Sequence, residues 1–518
     1  MCLNSHTEEQ SSLKLTQLFT RRDDLDTPTR VKIAVIAKYF NRHGTVTKLA
    51  KRYAISRSFV YILTGQLSQM VDTWFEKSEV PNEYLNQLAK AENLRRLLRY
   101  RLIGTCSISK CSTLLKTDKV KNTSFGWCSE QLQSAGDKLS NMVDWEGKAV
   151  YASDEIYYAQ NKPILVTVDP ISGAILRIDK EPSLTKAGWE RHWTSLQQQG
   201  IEPILLVRDE GRALIAAQKT VLNQVPFQPD TFHAVTHKLY HIEQTLQRKA
   251  FQAMEKEYYS QGVFQRAVTP SNIINKGNKY EKAKLKTIEA LGVLEDFQWL
   301  YHQLRRQLKV TRADGTLRNR KFAEQEVLTA LELMQLLPID ATKVIGHIKL
   351  LMPNLFSFLD RGIEQVKKIA TTIPDYLLPF WMAYWQYHRS LINVKPTAAR
   401  KRLIKRYEWM EPLLKQEYEL IEKSFETHKA IVFAHLNSII QSSSMVESAN
   451  ARLRPFINEM KGQISQQMLN LVMFYHNHCR FKRGKRKGFA PIELLKNEKL
   501  DKDWLELLLD IICPVPIS

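Results

Sequence analysis

Cysteine is scarce in this chain of 518 residues. The six present (Cys2, Cys106, Cys111, Cys128, Cys479 and Cys513) include no CxxC pair and form no even framework of the secreted kind, so they read as reduced thiols. An apolar run long enough to span a bilayer is missing, and the segment from Met1 to Asp26 is polar without the apolar stretch of a secretion signal. The expectation is a cytoplasmic protein with no membrane partner. Internal repeats and low-complexity tracts are also missing. One absence is local: between Thr27 and Met70 stand eight Lys or Arg residues and no acidic one.

What is present points to a polyanion. Lys and Arg number 75 against 54 Asp and Glu, a formal surplus of 21 positive charges, while the apolar content of 44% is ordinary. Such a surplus favours nucleic acid as partner. The length predicts two to four structural units rather than one core.

The acid-free segment has helical spacing. Val31, Ala34, Val35 and Ala37 begin one apolar face, Val46, Leu49, Ala50 and Tyr53 a second, and Phe59, Val60 and Leu63 a third. Gly44-Thr45 would end the first helix and open the second, and Ser56 would cap the third. This is helix-turn-helix spacing, with Arg57, Ser58 and Tyr61 near the start of a recognition helix and Arg52 beside it, all four expected on DNA. A plain three-helix bundle would share the pattern. A second helical block from Tyr84 to Met142 carries Arg95, Arg96, Arg99 and Arg101, either another reading head or a solvated face. The segment 1–26 reads as a flexible tail and 27–142 as the DNA-binding region.

From Lys148 the period changes. Lys148 to Tyr157, Pro163 to Val168, Ala174 to Ile178 and Pro203 to Val207 are short runs rich in β-branched and aromatic residues, with a fifth near Phe227. Asp169 to Gly173 is a turn by composition, and Lys186 to Gln199 reads as a helix. Asp154 is expected at the end of the first strand and Asp209 at the end of the fourth. Strand ends that meet would bring two distant carboxylates together, as hard divalent cations require. Asp169 and Asp179 read as turn and surface residues. From about 238 to 438 the chain reads as helical, with 270–325 partly loop. Trp381, Tyr384, Trp385 and His388 make an aromatic stripe at helical spacing, either core or a platform for an unpaired base. His476, His478 and Cys479 have zinc-site ingredients without zinc-site spacing.

In this order the motifs resemble the Asp-Asp-Glu transposases of bacterial insertion sequences. Ser153-Asp154-Glu155 is similar to their first acidic motif, and Val207-Arg208-Asp209-Glu210-Gly211 to their second. Asp230-Thr231-Phe232-His233 resembles the Cys/Asp-x-x-His signature of hAT and Mutator groups. Ser444 to Arg454 resembles the helix bearing the final Glu, here Glu447, with Gly488-Phe489-Ala490-Pro491 near the usual ending. More than two hundred residues between Asp209 and Glu447 place this chain with families that carry a helical insertion.

The resemblance implies an α/β RNase H-like core with a large all-α insertion. Its parts would be 143–237 and 439–495, with the insertion at 238–438 and a C-terminal tail at 496–518. It implies catalysis and metal binding by Asp154, Asp209 and Glu447. Two Mg2+ ions, with Mn2+ as a substitute, would be the cofactors. Asp230, His233 and Asn450 would be supporting residues, and His233 would be hydrogen-bonded in the core near the site's edge. Arg454 and the basic tail with Arg480, Lys482, Arg483 and Lys485 would contact phosphates, a solvated tail being the alternative. Element ends and target DNA would be the substrates, handled by a homodimer or larger assembly in the bacterial cytosol. Two other functions share these motifs: a catalytically inactive DNA-binding regulator, and a structure-specific nuclease that does not join strands.

Overall fold

A computed structural model describes residues 25–40, 44–77, 82–120, 123–312, 314–393 and 397–513. The chain forms two compact units, Met1–Glu92 and Asn93–Ser518. Of the expected tail at 1–26, all but Leu25 and Asp26 lies outside the described residues.

The first unit holds α1 (Thr27–Tyr39), α2 (Thr45–Arg52) and α3 (Arg57–Lys77). Each start has a local cause. The Asp26 carboxylate accepts from the Thr29 amide at 2.9 Å and Pro28 fits the first turn of α1, while Gly44 takes φ +82° to open α2. Ser56 Oγ accepts from the Phe59 amide at 3.0 Å. The small core joins Ile33, Ala34 and Ala37 to Val46, Leu49, Ala50, Ile55, Val60 and Leu63. Val31 is exposed, so the inner face of α1 runs one step differently from the expected one.

Helix α4 (Asn82–Leu98) crosses the division between the units, and Leu94, Leu97 and Leu98 belong to the second core. That core also takes in α5 (Ile108–Thr117) and α6 (Phe125–Asp137) through Cys111, Leu115, Cys128 and Leu132. The boundary therefore falls near residue 92 rather than 142, because these helices bury their apolar faces against the sheet. Arg101 is fully buried and donates to Glu459 and the Cys106 carbonyl, which removes it from any DNA-reading face.

One five-stranded mixed sheet follows, in the order β3-β2-β1-β4-β5. Its strands are β1 (Gly147–Ala159), β2 (Lys162–Val168), β3 (Ile175–Lys180), β4 (Ile201–Arg208) and β5 (Phe227–Pro229). β1, β2 and β3 run antiparallel, while β4 pairs parallel with both β1 and β5. Helices α7 (Lys186–Gln198) and α8 (Arg212–Val221) flank β4 in sequence. The β2–β3 turn is locked by Asp169, whose Oδ2 accepts from the amide and hydroxyl of Ser172, and by Gly173 at φ +84°.

A second apolar core belongs to helices alone. These are α9 (Lys238–Gln265), α10 (Pro270–Gln307), α11 (Arg320–Leu336), α12 (Thr342–Leu355), α13 (Ser357–Ala370), α14 (Leu378–Asn393), α16 (Met410–Leu420) and α17 (Phe425–Asn437), with α15 (Ala398–Tyr407) between α14 and α16 in sequence. The stretch 270–325, expected to be partly loop, is helical from Pro270 to Gln307, capped by Thr269 and paired with α9, Phe264 stacking on Tyr280. Its loop is the segment between α10 and α11, where Thr311 bridges to Leu317. Trp381 and Trp385 are fully buried, donating to Tyr418 and Asn437, so the aromatic stripe is core.

The chain then returns to the sheet as α18 (Ser444–Glu459), α19 (Gln466–His478), α20 (Pro491–Lys496) and α21 (Trp504–Ile512). Residues 496–518 were expected as a tail, yet Leu505, Leu508, Leu509 and Ile512 sit in the sheet's core. The fold class is thus mixed α/β with extensive helical regions. The described cysteines are free thiols. Among the described residues no helix is long and apolar enough to cross a membrane.

Candidate active site

Parallel pairing of β1 with β4 brings Ser153 opposite Arg208, so the next residues of the two segments, Asp154 and Asp209, follow side by side. Asp154 is not at a strand end: β1 runs on to Ala159 against β2, and Asp154 marks where the β4 partner stops. Asp209 turns the chain into α8, its Oδ1 accepting from the Gly211 amide at 2.9 Å. The buried Arg208 beneath it donates to the Asp209 carbonyl and to Gln218 of α8, which fixes the corner.

The third element arrives through Asp230. This buried carboxylate follows β5; its Oδ1 accepts from the amides of Phe232 and His233, and its Oδ2 from the amide and hydroxyl of Ser443. One side chain thereby ties the exit of β5 to the residue before α18, across more than two hundred residues of sequence. Glu447 lies in the first turn of α18 and Asn450 one turn later. Asn450 is buried and donates its Nδ2 to Asp154 Oδ2 at 3.0 Å, so α18 lies over β1 on the side of the aspartates. A single π turn, Phe232–His237, presents His233, whose Nε2 stands 3.1 Å from Glu447 Oε1. His233 is partly exposed and reaches Glu447 rather than the core.

Charge binds these groups into one cluster. Burial, and then the charge of Asp209, pushes the Asp154 carboxyl up to about 7, with Glu447 adding to the rise. Glu155 is likewise raised to about 7 by burial and by Asp209 and Asp154. Burial also raises Glu210, which faces Arg208 and His347. Lys238 at the start of α9 is lowered by burial while Glu210 and Asp209 pull it back. Glu155 and Glu210 were not singled out from sequence, although each directly follows one of the aspartates; the repeated Asp-Glu pair was the available signal.

Among the described residues, no group of three or more His, Cys, Asp or Glu side chains is gathered tightly enough to grip a metal ion as the chain stands. The donor set still fits hard divalent cations. Its ligands are carboxylate oxygens, they repel one another, and Glu155 Oε2 and Asn450 Oδ1 are buried without hydrogen-bond partners among the described residues. A cation would relieve that repulsion.

The expected DNA contacts fall in different places. Arg52, Arg57, Ser58 and Tyr61 are exposed on α2 and α3 of the first unit. Arg454 is exposed on α18, and Lys482, Arg483 and Lys485 are exposed beyond α19. Arg480 is engaged within the fold, its Nη2 donating to the buried Glu493 at 2.6 Å and to the Leu500 carbonyl. His476 is buried with Nε2 against the Gly173 carbonyl at 2.8 Å, and His478 stacks on Phe474, so neither is placed as a zinc ligand. No protein-family model matches this chain, and no curated protein sequence does.

Proposed function

We propose that this chain is a DNA transposase of the Asp-Asp-Glu type, built on an RNase H-like core with a helical insertion. The observation that carries the reading is the convergence of Asp154, Asp209 and Glu447 from β1, β4 and α18 into one electrostatic cluster. The strand order, with β4 parallel to β1 in the centre and an antiparallel β1–β2–β3 edge, supports an RNase H-like core. The all-helical stretch between β5 and α18 supports the insertion-bearing subgroup.

In this reading Asp154 and Asp209 would hold two Mg2+ ions, with Glu447 completing the set, and ions held there would supply the Lewis acidity that phosphodiester cleavage and joining require. The protein's own groups do the positioning. Asn450 orients the Asp154 carboxylate, His233 holds Glu447, and Asp230 sets where α18 begins. Exposed Arg454 on the same helix offers a phosphate contact, and the basic first unit binds the element's ends.

The test is a strand-transfer assay with full-length protein, Mg2+ and labelled duplexes carrying the inverted repeats that flank the gene. Cleavage followed by joining to target DNA is expected. Asp209→Asn should keep end binding and lose both steps. Cleavage without joining would mark a nuclease, and binding without cleavage by the wild-type protein would mark a regulator; either result overturns the proposal.

A further inference from the structure

Outside the carboxylate cluster the molecule gathers imidazoles along one line. His233, His237 and His241 recur every fourth residue from the π turn into α9, with successive ring centroids 5.7 Å and 4.4 Å apart. His233 is engaged with Glu447. The other two are exposed, and their Nε2 atoms face each other at 3.2 Å.

That spacing has two chemical meanings. Without a metal, one ring carries its proton on Nε2 and donates to the lone pair of the other, since two lone pairs cannot meet unscreened. With a metal, both rings place their protons on Nδ1 and turn both lone pairs to the ion. Metal–nitrogen bonds of about 2.0–2.1 Å in tetrahedral geometry set the two nitrogens about 3.3 Å apart. The pair already has that separation, and its two residues lie one turn apart on the same helical face.

We propose that His237 and His241 chelate a borderline transition-metal ion, Zn2+, Ni2+ or Co2+, through their Nε2 atoms, at a site separate from the carboxylate cluster. Imidazole nitrogen suits these ions, whereas the carboxylate oxygens around Asp154 suit Mg2+. No third His, Cys, Asp or Glu among the described residues completes the set, so water fills the remaining positions and the site is open. The inference does not depend on the transposase reading. It does place a second kind of ion one turn from His233, the residue that holds Glu447.

The experiment is a calorimetric titration of the full-length protein with Zn2+ in excess Mg2+, repeated on His237→Ala, His241→Ala, His233→Ala and Asp209→Asn. Wild type should take up a Zn2+ ion that Mg2+ does not displace. His237→Ala and His241→Ala should each weaken that binding by roughly tenfold or more, while His233→Ala and Asp209→Asn retain it. Co2+ absorption and Cu2+ spin resonance should report two nitrogen ligands in wild type and one in each His variant. Both histidines are exposed, so unchanged melting curves should accompany the loss. Absence of Zn2+ binding in wild type, wild-type affinity in both single variants, or loss of binding only in Asp209→Asn would overturn the assignment.

Discussion

Ser153 and Asp154 are neighbours in β1, and strand alternation sends their side chains to opposite faces of the sheet. Behind the sheet a continuous chain of hydrogen bonds runs from Trp193 to Asp179. Trp193 donates to Ser153 Oγ at 3.1 Å, Ser153 and Thr167 share a bond of 2.8 Å, Thr167 meets His192 Nε2 at 2.9 Å, and His192 Nδ1 meets Asp179 Oδ2 at 2.6 Å. Burial pushes His192 down, while the Asp179 carboxylate against its ring pulls it back up. Burial alone would raise Asp179, but His192 and the Arg177 guanidinium hold it down to about 2. In front of the sheet the reverse holds: Asp154 is raised by burial and then by the like charges of Asp209 and Glu447. A completed network stiffens a fold, whereas an uncompensated one stores repulsion that an incoming cation can relieve.

The largest test of this contrast is Asp154→Asn. Metal-dependent cleavage should fall by on the order of a thousandfold, while the metal-free fold becomes more stable at pH 8. The sign follows from linkage: a carboxyl raised from 3.8 to about 7 contributes stability that is complete below about pH 4 and lost as pH rises through 7. Removing it should recover on the order of a few kcal/mol at pH 8, read by thermal melting in chelator. A less stable variant at pH 8 would show that the front cluster is structural after all.

His192→Ala should behave in the opposite way, costing about 3 kcal/mol in denaturant unfolding because Asp179 and Thr167 lose their buried partner. Its effect on cleavage should be far smaller than that of Asp154→Asn. The acid limb separates the faces again. Asp179, held at about 2 against its ordinary 3.8, contributes stability present above about pH 4 and lost as pH falls through 2. That amounts to roughly 2 kcal/mol, and Asp179→Asn should flatten this limb in unfolding midpoints taken between pH 5 and 2. The smallest effects belong to the first unit. Arg52→Ala and Arg57→Ala should each lower the slope of log affinity for element ends against log salt by about one, with cleavage chemistry unchanged at saturating protein.

How legible the molecule was depends on the range of the interaction. The five strands, the Asp169 turn and the Ser56 cap follow from neighbours within a few residues, and each is where the sequence predicts it. Asp179 did not read as buried, because its alternation in β3 says nothing of the α7 histidine that covers it. Within 270–325 the polar composition did not separate loop from helix: the loop is confined to the segment between α10 and α11, while α10 is paired with α9 and buries Phe297, Leu300 and Leu304 in the helical core. The C-terminal segment gains its place from an apolar face whose receiving groove is built by α19, Tyr475 packing edge-on against Trp504.

Residue order alone determined the periodicities, the turns and the identity of Asp154 and Asp209, since strand register and short caps are local consequences of side-chain type. Tertiary structure decided what those residues became. It raised Asp154 by burying it beside Asp209, engaged Arg480 with Glu493, and recruited Glu155 and Glu210 to the cluster. It also brought Glu447 to the aspartates through Asp230, whose grip on Ser443 joins segments far apart in sequence. Desolvation and Coulomb interaction depend on distances through space, and no spacing along a chain contains them.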